Sequence, residues 1–102
     1  MESEFDIHRI ITSGIQNELD LQRALIASRL LRIMAKENSK LRMVRTKLRD
    51  LIIAYEYKNW SRNSNITQKQ IEESDLAESM AEKEIPLIRQ SLIKNFNISP
   101  NI

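Results

Sequence analysis

Between Gly14 and Pro86 the chain has neither glycine nor proline, and no other feature limits its fold so strongly. Those residue types supply the positive-φ turns and the missing backbone donors that interrupt helices and shape hairpins. Without them, nothing over residues 15–85 obliges a helix to stop. The apolar residues there favour a helix. Leu19, Ile26, Leu30, Ile33, Met34, Leu41, Val44, Leu48, Leu51, Ile52 and Tyr55 follow three-and-four spacing. They fall in a sector roughly 100° wide, as expected for a helix seated on a core. Unbroken from Leu19 to Tyr57, such a rod would be about 60 Å long. Lys36-Glu37-Asn38-Ser39 is its weakest point, because Asn and Ser compete for backbone hydrogen bonds. The apolar sector nevertheless keeps its phase from Met34 to Leu41, so a continuous helix is expected.

The flanking segments read as shorter helices. Ser3 offers an N-cap for a helix from about residue 4 to 13, and Gly14 stands where a helix C-terminus favours glycine. Asn17 is the next cap, with Glu18 and Asp20 at the positive end of the long helix. The polar run Ser61-Arg62-Asn63-Ser64-Asn65 marks a loop. Thr67 and Gln70 then form a capping box, with Ile66 and Ile71 as its staple, so a helix starts at Gln68. Pro86 ends that helix and opens a last one to about Phe96, with a frayed tail over residues 97–102.

The expected architecture is all-α: an antiparallel bundle or hairpin of three to four helices, one domain over residues 1–102, built on the long central helix. Its expected core is Leu30, Ile33, Leu41, Val44, Leu48, Leu51 and Tyr55 against Ile88, Leu92 and the N-terminal isoleucines.

Composition narrows the chemistry. The chain has no cysteine, which removes disulfides, thiolate metal sites and a thiol nucleophile. The one histidine, His8, has Glu4 a turn before it and no second His to complete a metal site. No phosphate-binding glycine loop, nucleophile elbow or HExxH pattern occurs. Asp75, Glu78 and Glu82 share a helix face but have no apolar surroundings to raise a pKa. The expectation is a non-enzyme with no catalytic residues, cofactor, metal or small-molecule substrate. The acidic start and the lack of a long apolar run argue against secretion and membrane insertion, and for a cytoplasmic or nucleoid (or nuclear) location. The Asn-X-Ser/Thr triplets at Asn59, Asn65 and Asn97 are read as chance in an Asn-rich chain.

The feature that looks most functional is a basic stripe. Arg29, Arg32, Lys36, Lys40, Arg42, Arg45, Lys47 and Arg49 run against a single acid, Glu37. With Arg62, such a row could track a phosphate backbone, and Tyr55, Tyr57 and Trp60 could add stacking near its end, although Tyr55 and Trp60 are read first as packing at a helix end. Against this, the helix from Gln68 carries Glu72, Glu73, Asp75, Glu78, Glu82 and Glu84, and a short loop would fold it back beside the stripe. The net charge of only +2 gives little steering. Leu41, Val44, Leu48, Leu51 and Tyr55 also read as alternating a and d sites, an interface or core seam for self-association.

From Arg42 to Ile93 the order of features resembles the N-terminal helical domain of the GINS replication complex subunits. The residues carrying it are Arg45, Leu48, Leu51, Tyr55 and Lys58 on a basic helix, then Ile66-Thr67 at the start of an acidic one. The small β-rich domain of that family has no counterpart in this sequence. The resemblance implies a scaffold role at a replication fork without catalysis. The sequence thus favours a helical structural or adaptor subunit acting through helix–helix contacts in a homo- or hetero-oligomer. A nucleic-acid-binding accessory protein is the alternative.

Overall fold

The computed structural model describes residues 5–61 and 65–98. Five helices follow in order: α1 (Ile7–Ser13), α2 (Glu18–Met34), α3 (Ser39–Trp60), α4 (Gln68–Lys83) and α5 (Ile85–Phe96). Asp6 caps α1, its Oδ1 accepting from the His8 and Arg9 amides at 3.0 and 3.2 Å. The helix therefore begins later than expected; Ser3 lies outside the described residues. Gly14, at φ 86°, closes α1 with its N–H on the Ile10 carbonyl. Asn17 caps α2 by accepting from the Asp20 amide at 2.8 Å, as the sequence indicates.

The long rod is in fact two helices. The chain leaves the helical path at Ala35 (φ −133°, ψ 40°), and the Asn38 N–H turns back to the Ala35 carbonyl at 3.1 Å. Asn38 Oδ1 then accepts from the Lys40 and Leu41 amides at 3.0 and 3.2 Å, starting α3. A side-chain oxygen that satisfies orphan amides makes a break affordable even without glycine or proline.

The break also changes which helix is central. α2 packs against all four others, while α4 lies on α2 and α5. Ala24, Ala27 and Leu31 are completely buried, with Leu21, Ile26 and Met34 nearly so. Alanines in the middle of a helix let neighbouring backbones approach closely. Leu41 and Leu48 of α3 and Ile7 and Ile10 of α1 are buried in the same core as Ile88 and Leu92 of α5. Leu30, Val44, Leu51 and Tyr55 pack at its edge. Ile33 was expected inside and is 60% exposed. The buried strip of α2 runs through residues 24, 27, 31 and 34, which turns Ile33 outward.

Thr67 Oγ1 accepts from the Gln70 amide at 3.1 Å, half of the expected capping box. The Gln70 side chain does not return to the cap. Its Nε2 donates to the Asn59 carbonyl at 2.7 Å, which ties the start of α4 to the end of α3. Ile66 and Ile71 both remain exposed at 39% and 40%. Pro86 sits in the first turn of α5. Asn97 adopts a left-handed conformation, and the Ile98 N–H returns to Ile93 at 3.1 Å. Ile98 is thereby drawn into the core at 9% exposure. Asn97 and Ile98, expected in a frayed tail, thus belong to the fold, and residues 99–102 lie outside the described residues.

Central α2 sets a clear stability contrast. Leu31→Ala should cost about 2–5 kcal/mol, because it opens a cavity in a fully buried site. Ile33→Ala should stay within about 0.5 kcal/mol, as expected of an exposed position. Urea unfolding of the two variants beside the wild type checks both values.

Candidate interaction surface

Two buried or half-buried ion pairs fix α1 and the α4–α5 junction to α2. Asp20 is 2% exposed, and its Oδ1 accepts from Arg9 Nη2 at 2.6 Å. Its Oδ2 accepts from the Gln16 amide at 3.1 Å. Arg23 grips Glu84 with two bonds, Nε to Oε1 and Nη2 to Oε2, each 2.7 Å. That bidentate hold pins the α4–α5 junction to α2 and, chiefly through the hydrogen bonding, raises the Arg23 pKa.

A third anchor joins α2 to the end of α3. Glu18 Oε2 accepts from the Tyr55 hydroxyl at 2.8 Å and from Trp60 Nε1 at 2.9 Å. Glu18 Oε1 is buried and has no hydrogen-bond partner. Glu18 and Tyr55 border a cleft of about 630 Å³ also lined by Gln70, Glu73, Leu76 and Met80. Burial first, and then the Glu18 carboxylate, push the Tyr55 pKa well above its ordinary value. Tyr55 and Trp60 are therefore engaged within the fold, in keeping with their reading as packing at a helix end and not as a stacking platform. Tyr57 stays 71% exposed.

The expected stripe is divided by the break at residues 35–38. Arg29 and Arg32 are exposed on α2 and Lys36 lies in the connection. Arg29 faces Glu78 and Glu82 of α4 across a cavity of about 220 Å³. Lys40, Arg42, Lys47 and Arg49 are exposed on α3. Arg45 is half-buried, its Nε buried and without a hydrogen-bond partner. Arg62 lies outside the described residues. The seam residues Leu41 and Leu48 are buried inside this chain's own core, with Val44, Leu51 and Tyr55 packed beside them.

What α3 presents outward is a different face, with three large apolar residues and with Thr46 and Asp50 exposed between the first two of them. Met43 is 74% exposed, Ile53 55% and Tyr57 71%. By the helical repeat, Arg42 and Arg49 flank this strip on one side and Lys40 and Lys47 on the other. The acidic α4 does not run along these cations, because it lies on α2. The ion pairs Arg9–Asp20, Arg23–Glu84 and Arg49–Asp50 do not join α3 to α4. Sequence reasoning missed this outer strip by following one periodic face. The signal was present in three large apolar residues out of phase with that face.

His8 meets Phe96 in a tilted ring contact, with centroids 5.6 Å apart. Among the described residues, no group of three or more His, Cys, Asp or Glu is placed to hold a metal ion. Nor is any helix there long and apolar enough to cross a membrane. Comparison with protein-family models, with curated proteins and with solved structures finds no match.

The Glu18 anchor has a measurable signature. Tyr55 should release its phenolic proton only above the ordinary tyrosine range, a late phase in the phenolate absorbance titration. Glu18→Gln should bring the late phase down. Because the folded-state pKa is raised, the anchor's contribution is complete below about pH 10 and is lost as pH climbs through the Tyr55 transition.

Proposed function

We propose that this chain is a non-enzymatic structural or adaptor subunit that works through helix–helix contacts, with the outward face of α3 as its docking surface. The observation that carries this reading is the exposed strip Met43, Ile53 and Tyr57 standing between two cationic edges. Methionine, tyrosine and arginine are the residue types that protein interfaces favour. Apolar area on this strip supplies attraction, and the flanking charges select an acidic amphipathic helix and set its orientation.

The second reading is binding of nucleic acid, and one observation favours it. Lys40, Arg42, Lys47 and Arg49 have no acidic helix laid along them. The GINS-like order of features points the same way, toward a scaffold at a replication fork. A purely phosphate-tracking surface, however, gives no role to three large apolar residues in its centre.

Titration of the isotope-labelled protein with a synthetic Glu/Leu amphipathic helix, and separately with duplex DNA, distinguishes the readings. The peptide should shift the amide signals of residues 42–57 and should bind at least tenfold more weakly to the Arg42→Glu/Arg49→Glu variant. If DNA is the ligand, four phosphate contacts would give a log–log salt slope of about −3.6. Peptide shifts elsewhere, or none at all, would remove the α3 face from consideration.

A further inference from the structure

The chain carries its own complement to α3. Between Ser39 and Trp60 six cations stand against two acids, and between Gln68 and Lys83 five acids stand against two lysines. The net charge of +2 hides this separation. Because α4 lies on α2, the two charged helices do not neutralise each other along their lengths within one molecule.

The match extends to register. On α3, Arg42, Arg49 and Ile53 form one outward strip with steps of seven and four residues. On α4, Ile71, Asp75 and Glu82 form an exposed strip with steps of four and seven. Laid antiparallel, the two strips place Ile53 on Ile71, Arg49 on Asp75 and Arg42 on Glu82. Each strip spans about 16 Å. Ile53 and Ile71 are 55% and 40% exposed, so each has apolar surface to cover. The antiparallel arrangement also opposes the two helix dipoles favourably.

Resting on the reading of α3 as a docking face, we infer that its occupant is α4 of a second copy of this chain. Every copy offers both strips. If both contacts close on one partner the product is a two-fold pair; if not, it is an open chain. One helix-on-helix contact lies at the lower end of interface sizes, so association is weak and depends on salt.

Sedimentation velocity over a range of concentration and salt tests this with reversed charges. Wild type should self-associate at low salt and dissociate as salt rises. Arg42→Glu/Arg49→Glu and Asp75→Lys/Glu82→Lys should each weaken association at least tenfold. Mixed one to one, the two variants should associate again as a heteromer, because each carries the complement of the other. Since Glu82 also faces Arg29, circular dichroism of each variant checks its fold. Ile53→Glu, at an exposed site outside the cavity that Arg29 lines, should weaken association independently.

A wild type still monomeric at about 1 mM, the weakest affinity of interest here, overturns the inference. So does a folded pair of variants that fails to associate on mixing, or association seen only when duplex DNA is added. If the inference fails while the Glu/Leu peptide still binds α3, the docking face stands and its occupant is another protein. If the peptide fails as well, both readings fall.

Discussion

Helix α2 has neighbours on nearly every side, and the other four helices take their positions from that circumstance. A helix so enclosed needs small residues where backbones come close and large ones where gaps remain. Ala24 and Ala27 meet the first need, and Leu21, Leu31 and Met34 the second. Its polar positions serve the same end. Asp20 and Arg23 reach Arg9 and Glu84, so α1 and the α4–α5 junction are fixed by direction as well as by apolar contact. In such pairs, removing one partner costs most, because it strands the other charge in a partly dry site.

This arrangement explains why the outer side of α3 carries the candidate surface. Where α4 runs along α2, it leaves the long cationic helix without an acidic neighbour. α3 is held from below by Leu41, Leu48 and Ile52 and at its end by Glu18. Its opposite side is open to a partner. Fixed elements present binding groups more exactly than loops do.

Much of the secondary structure was legible, because it depends on local chemistry. Asn17, Thr67, Pro86 and Gly14 mark boundaries through caps and backbone conformation, and those boundaries appear where the residues are. The break after Met34 was harder to read. Asn38 is a good N-cap, yet the apolar sector on both sides keeps a common phase, and periodicity outweighed a single cap. Taking two helices as one then misplaced the centre of the fold. Ala24 and Ala27 carry little hydropathic signal although both are completely enclosed, whereas Ile33 carries a strong one and faces water. The candidate surface was half legible. Lys40, Arg42, Lys47 and Arg49 were evident as charges, but whether α4 would cover them is a question of packing that no local pattern answers. The long-range partners Arg23–Glu84 and Glu18–Trp60 join residues far apart in sequence, and nothing near either residue announces the other.

Gly14 is the chain's single glycine, and it holds a backbone conformation of φ 86° and ψ 177°. That region is essentially closed to L-residues. Nevertheless, a Cβ built there meets no atom within 4 Å. The obstacle at this corner is therefore handedness, not room. D-alanine, introduced by chemical synthesis, would hold the same torsions without strain while narrowing the freedom of the unfolded chain. Position 14 is thus a place where mirror-image chemistry would strengthen the link between the first two helices and every natural side chain would loosen it.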